Sequence, residues 1–360
     1  MRLSDLVATL RLSAGMALYA GLGRIRGVSH VPHPRTMLFI EPASYCNLSC
    51  SFCTHRLHLR PQTVMEFGTF AGYADQALAM GFRAIVLTPI NGDVFMDKGL
   101  ADKLRYLEDH PCEHDIMVYT NLIGATPEAL TDILAMRRLR MFQVSVYGHD
   151  LETFERITGR GEMQFSRLLT NLAAVEALVI ARGEVPPGLT VCVRTECGYD
   201  PDTSPDGELS AALRRLRRLG VVVAVHSTLD DWGGLIGEAD LGGLDMRLIR
   251  GRWLIKNGAC TLPFFSLQVM ADGRVNACAC RAIRGDLVIG DLRQQRLADV
   301  LSAANSTYLA LIRSQQAGCF PESCRGCSFY RSIFDHRVAG TSPLGEMSLA
   351  EFQDFLGGKE

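Results

Sequence analysis

The chain has 360 residues, 48% of them hydrophobic, and 37 Lys and Arg stand against 39 Asp and Glu for a formal net charge of −2. That is enough for one large α/β domain plus a smaller one. The near-neutral balance gives no sign of nucleic acid or an anionic membrane surface as the main partner.

The N-terminal stretch Leu3 to Leu22 is apolar but interrupted by Asp5 and Arg11 and preceded by Arg2. No run of 18 or more apolar residues occurs, so no transmembrane helix is expected. The stretch reads as an amphipathic helix packing on the body, with a membrane-surface role as the other reading. A linker, Val31 to Arg35, follows. Apolar runs suited to buried parallel strands then recur at Met37–Glu41, Ala84–Thr88, Ile116–Thr120, Phe142–Val146, Leu189–Arg194 and Val221–His226. Helical patterns lie between them: Met65–Met80, Asp97–Asp109, Pro127–Met136, a split pair within Asp150–Arg182, and Pro205–Leu219. Thr126 and Asp150 are expected N-caps, and Gly81 and Gly220 are expected stops. Arg214, Arg215, Arg217 and Arg218 read as the solvated face of the last helix. Six βα repeats give a parallel sheet with helices outside, with function at the carboxyl ends of the strands. Near Trp232 the pattern changes to a glycine-rich crossing. A hairpin is expected around Asp272-Gly273 and a helix from Leu297 to Ile312. The division read from this is 1–35 helix and linker, 36–232 barrel, 233–259 connection, 260–330 cysteine-rich domain and 331–360 tail.

The chain holds 12 cysteines and no secretory pattern, so metal ligation or catalysis is expected over disulfides. Nine of them form two groups. The first is Cys46, Cys50 and Cys53, spaced C-x3-C-x2-C in the loop after the first strand. Three thiolates can hold three irons of a cubane cluster and leave the fourth iron open to a small chelating molecule. A zinc knuckle is the other reading, with His55 or His58 as fourth ligand. The second group is Cys260, Cys278, Cys280, Cys319, Cys324 and Cys327.

The first group resembles the radical S-adenosylmethionine (SAM) superfamily, in which SAM chelates the open iron of a [4Fe–4S] cluster. The second resembles that superfamily's SPASM/twitch extension, with Cys260, Cys278, Cys324 and Cys327 ligating one auxiliary [4Fe–4S] cluster. Cys280 and Cys319 are alternative ligands. The resemblance implies a partial (β/α)6 barrel with a small C-terminal α+β cluster-binding domain. It also implies SAM contacts at Phe52, at Asn91-Gly92-Asp93 in place of the family's Gly-Gly-Glu, at Asn121, at Ser145 and at Arg194. An arginine ending a buried strand needs an anion, either a bound carboxylate or Glu196.

The implied reaction is SAM cleavage to a 5′-deoxyadenosyl radical, which takes a hydrogen atom from a small molecule. A sugar or sugar-nucleoside in antibiotic biosynthesis is expected, oxidised with the help of the auxiliary cluster. His226, Asp230 and Asp231 are candidate bases for the hydroxyl proton. Cys197 is the candidate hydrogen-atom donor if the enzyme is instead a redox-neutral epimerase, with Cys192 and Cys112 as other free thiols. A dehydratase, a decarboxylase, a peptide maturase and a zinc-binding interaction protein are the remaining alternatives. A flavodoxin or ferredoxin electron donor and a cytoplasmic location are expected, without nucleic acid or an integral membrane segment.

Overall fold

The computed structural model describes residues 3–204 and 207–358. Expectations at Arg2, at Pro205 and at the last two residues of the tail lie outside these. Six parallel strands form in the expected order: β1 (Met37–Ile40), β2 (Ala84–Leu87), β3 (Asp115–Thr120), β4 (Leu139–Tyr147), β5 (Leu189–Arg194) and β6 (Val222–His226). Burial alternates along β1, β3, β4 and β5. Leu38, Ile116, Val118, Val144, Val146, Val191 and Val193 are fully buried in the main core. Their neighbours Tyr119, Gln143, Ser145, Tyr147 and Arg194 face a cavity instead. One period-2 pattern thus builds both the core and the site.

The caps follow local chemistry. Thr126 accepts from the Ala129 amide at 3.2 Å, and Asp150 accepts from that of Thr153 at 2.8 Å. Gly81 and Gly220 end their helices at φ 83° and 93°, conformations costly for other residues. The helix expected from Pro205 runs Glu208–Arg218.

The first strands of the C-terminal region continue the barrel sheet. Strand Ser266–Val269 pairs in parallel with β1, and Arg274–Asn276 and Val288–Asp291 follow antiparallel, giving one nine-stranded sheet. A helical turn, Leu262–Phe265, leads into the hairpin, with Pro263 in its first turn. The helix expected from Leu297 to Ile312 is two helices, Leu297–Val300 and Ser306–Gln316. Asn305 breaks it. Its side chain caps the Tyr308 amide at 3.1 Å and donates to the Ile289 and Val300 carbonyls at 2.9 and 2.8 Å.

The glycine-rich crossing is ordered rather than loose. Thr228–Asp230 pairs with Arg247–Ile249, and Ile236, Leu241, Leu244, Met246 and Leu248 form their own buried cluster. Gly233, Gly251 and Gly326 pass so closely that a Cβ on Gly326 would lie 2.2 Å from the Gly233 Cα. This contact presses the crossing against the Cys324–Cys327 turn.

The N-terminal helix, α1 (Leu3–Arg26), lies along the body, and the linker pairs Val31–Pro32 with Glu346–Met347. By length and composition Asp5–Arg26 and Glu162–Arg182 are both apolar enough to cross a membrane, which the run-length criterion had excluded. Glu162–Arg182 buries Phe165, Leu168, Leu172, Val175 and Val179 in the helical layer outside the barrel.

Candidate active site

The loop after β1 carries the first three thiols, and all three line a cavity of about 590 Å³ at the carboxyl ends of the barrel strands. Amides point at the sulfurs. The Leu48 N–H lies 3.4 Å from Cys46 Sγ and the His55 N–H 3.4 Å from Cys53 Sγ, while the Asn121 side-chain amide donates to Cys46 Sγ at 3.5 Å. Such donors stabilise thiolates and tune iron–sulfur centres. Burial pushes all three thiols up, Cys46 to about 12 with Asp93 as the second cause. Without a cation these thiols stay protonated; iron would supply the charge that makes them thiolates. The donor set therefore fits a cluster. The zinc reading loses its nearer histidine, because His55 Nε2 accepts the Cys46 amide at 3.2 Å. Among the described residues no group of three or more His, Cys, Asp or Glu is gathered tightly enough for a single metal ion.

The same cavity is lined by Phe52, Asn91, Gly92, Asp93, Asn121, Ser145 and Arg194. Phe52 packs 5.4 Å from Tyr147, ring to ring. Gly92 is required for close approach, since a Cβ there would sit 2.8 Å from the Tyr45 carbonyl. Asp93 is mostly occupied. It accepts from the Phe95 amide at 3.0 Å, the Asn121 amide at 2.6 Å and the Thr120 hydroxyl at 2.9 Å, leaving about one of roughly four acceptor sites. Its first task is to tie the β2 loop to the end of β3. Arg194 reaches Ser145 Oγ at 3.4 Å. Its alternative partner Glu196 turns away, holding the Asp245 amide at 2.9 Å and lying 3.8 Å from Arg156.

Leu122, just past the end of β3, adopts φ 69° and is fully buried. The Asn171 amide, donating to the Leu122 carbonyl at 2.8 Å, helps hold this uncommon conformation.

The candidate bases separate. His226 lines the cavity and is exposed. Asp230 also lines it, but its carboxylate takes Arg281 at 2.8 Å, the Trp232 amide at 2.7 Å and the Ser328 hydroxyl, so it serves as an anchor. Asp231 is a correction: it lies off the cavity lining and accepts from the Gly233 and Gly251 amides at 3.2 and 3.4 Å. Cys197 also lies off the lining: it sits past the end of β5, its amide donating to the Asp245 carbonyl at 2.8 Å. Of the free thiols it is Cys192 that neighbours Ser145 in the β4–β5 register.

Cys260, Cys278, Cys324 and Cys327 line one small space of about 20 Å³. Amides again face sulfur: Cys280 N–H to Cys278 at 3.4 Å, Phe329 N–H to Cys327 at 3.3 Å, and the Gln315 side chain to Cys324 at 3.3 Å. Burial raises all four thiols, Cys324 to about 12. Neither alternative ligand lines this space. Cys319 is exposed, and Cys280 Sγ lies 3.7 Å from the Arg281 guanidinium.

Four residues that matter, Glu41, Arg60, Arg281 and Gln315, escaped the sequence reading. Glu41, fully buried at the end of β1, binds Arg60 through both oxygens at 2.7 and 3.1 Å. It also accepts from the Ile90 amide at 3.2 Å and the Ala271 amide at 3.0 Å, and Arg60 donates to Asn91 at 3.0 Å. The pair joins the cysteine loop, the β2 loop and the C-terminal hairpin. Arg281 is stacked between Trp232 and Phe329, 4.1 and 4.0 Å from their ring centres, while Trp232 donates to the Phe52 carbonyl at 2.9 Å. This stack walls the cavity between the two thiol groups. A charged residue ending a buried strand was a usable signal for Glu41; nothing local marked Arg281 or Gln315.

Residues 260–328 match the family model of SPASM, an iron–sulfur cluster-binding domain. Lipoyl synthases of Chlamydia trachomatis, serovars L2 and D among them, are 28% identical over 138 residues, 36% of this chain and 40% of theirs. The chain thus matches less than half the length of these curated relatives. Among solved structures, BtrN in complex with AdoMet and 2-DOIA has a TM-score of 0.52 at 15% identity, covering 81% of this chain and 92% of that one. SuiB of Streptococcus suis bound to the precursor peptide SuiA has a TM-score of 0.52 at 12% identity, covering 78% and 67%. These two likenesses show the fold. The chain thus shares the barrel fold of BtrN and SuiB, carries a three-thiol loop after β1, and matches an iron–sulfur cluster-binding domain of the SPASM type at 260–328.

Proposed function

We propose that this chain is an enzyme that cleaves SAM at a [4Fe–4S] cluster on Cys46, Cys50 and Cys53 and oxidises a sugar-like small molecule. An auxiliary [4Fe–4S] cluster on Cys260, Cys278, Cys324 and Cys327 assists. The observation that carries this reading is a single cavity with the three thiols in its lining together with Arg281 and Phe329, which flank the second thiol group. Its volume of about 590 Å³ suits a small molecule. The division at 36–232 and 260–330 belongs to this reading, as do a flavodoxin or ferredoxin donor and action in the cytoplasm.

When bound, the first cluster and SAM supply a 5′-deoxyadenosyl radical that removes a hydrogen atom, and the second supplies an electron acceptor. The chain's own residues do the rest. Arg194 and Ser145 hold a carboxylate such as that of SAM, and Phe52 and Tyr147 form an apolar wall beside it. The Asn91–Asp93 loop contributes backbone polar groups. His226 takes the hydroxyl proton of the substrate. The Trp232–Arg281–Phe329 stack closes the far wall against water.

The test is anaerobic turnover of the reconstituted enzyme with amino sugars and nucleoside sugars. Methionine, 5′-deoxyadenosine and a ketone formed in equal amounts support the oxidation. Solvent deuterium in a product C–H would replace it with epimerisation, with Cys192 as the thiol to examine. A peptide substrate is the second reading, favoured by the likeness to SuiB. Two zincs and no iron would leave only a binding protein.

A further inference from the structure

The helix α1 is turned inside out for a helix on the surface of a water-soluble domain. Its buried side carries Asp5, Thr9, Ser13, Met16 and Ala20. That side is fixed in place. Ser13 Oγ donates to the Trp253 carbonyl at 3.3 Å and accepts the Ile255 amide at 3.0 Å, and a Cβ on Gly23 would lie 1.9 Å from the Phe334 carbonyl oxygen. The opposite side presents Val7, Leu10, Leu18, Leu22 and Ile25 to solvent, with Leu18 57% and Ile25 86% exposed. These positions recur at helical spacing and form one stripe along about 27 Å of helix. Trp253 and Ile255, exposed by 43% and 59%, are on the segment that Ser13 holds against the opposite side of the helix. Arg11, Arg24 and Arg26 are exposed around the stripe, and the helix's single acid, Asp5, is buried.

We propose that this face docks on the surface of a bilayer containing anionic phospholipids. Apolar side chains in a line and arginines on a helix without exposed acids are the chemistry of an interfacial helix. The near-neutral net charge of the chain hides this local excess. A second copy of the chain fits less well, because Arg11 lies within the stripe. In a bilayer its head reaches a phosphate while its stem stays in the apolar layer. In a pairing of two such helices it meets no acid and is left buried and unpaired. Spanning the bilayer would instead strip Asp5, Thr9 and Ser13 of their place against the protein. The inference is independent of the substrate proposed above.

The test is vesicle sedimentation of the reconstituted full chain, with phosphatidylcholine alone and with a phosphatidylcholine–phosphatidylglycerol mixture. Sedimentation with the mixture, weakened by salt, is expected. Leu18→Glu with Leu22→Glu should weaken it about a hundredfold, and Arg11→Gln and Arg26→Gln about fivefold each, with SAM cleavage unchanged. Equal sedimentation with phosphatidylcholine alone would overturn the anionic-lipid assignment. Absence of sedimentation would overturn the proposal, and a dimer dissociated by the two glutamates would give the face to a second copy.

Discussion

The two thiol groups are built alike but differ in the room beside them. Both set buried thiols under amide donors. The first lines a space of about 590 Å³ and the second one of about 20 Å³. On the proposed function the roomier site would admit an exchangeable molecule, whereas the smaller one would retain its group and keep substrate away. The Glu41–Arg60 pair and the Trp232–Arg281–Phe329 stack join the two regions, so each can be disturbed while watching the other.

The largest effect should come from emptying the smaller site. Cys278→Ala with Cys327→Ala should lower the iron content from about eight to about four per chain. SAM cleavage should persist while oxidised product disappears. Loss of cleavage as well would mean that the two regions are not separable. Next is Arg60→Leu, which strands the Glu41 carboxylate with no solvent to receive it. Breaking a buried pair from one side costs about 3–5 kcal/mol. Chemical denaturation should show that loss, and Glu41→Gln in the same chain should recover part of it.

Much of this organisation was legible in the sequence because it is local. Alternating burial on β3 to β5 follows from residue types two apart, and the capping roles of Thr126 and Asp150 from the residue at the cap. The hairpin's parallel pairing with β1 was not legible, since Ser266 meets Met37 across more than two hundred residues. Asp230 and Asp231 look alike in the chain. Only the fold gives the first Arg281 and Ser328 and turns the second toward Gly251. The break at Asn305 was missed because its amide bonds to Ile289, on another strand.

A more moderate effect is expected inside the roomier site. Arg194→Gln should raise the KM for SAM about thirtyfold, the size of one lost charge-assisted contact, and leave iron content unchanged. A shift in kcat alone would assign Arg194 to the substrate. The smallest effect lies at the seam between the regions. Burial first and the neighbouring Asp230 second push the Asp231 carboxyl up to about 6. An acid raised in the folded state favours folding below its unfolded value of about 4 and costs stability as pH rises through 6. Asp231→Asn should therefore gain on the wild type between pH 4 and 7. The gain is about 1 kcal/mol in thermal unfolding, because the amide loses part of the contact with Gly233 and Gly251.

The most direct measurement is anaerobic SAM cleavage by the reconstituted protein in which Cys46, Cys50 and Cys53 are all replaced by alanine. The proposed function predicts no 5′-deoxyadenosine above background, with about four irons retained in the smaller site. Continued formation of 5′-deoxyadenosine by that variant would contradict it.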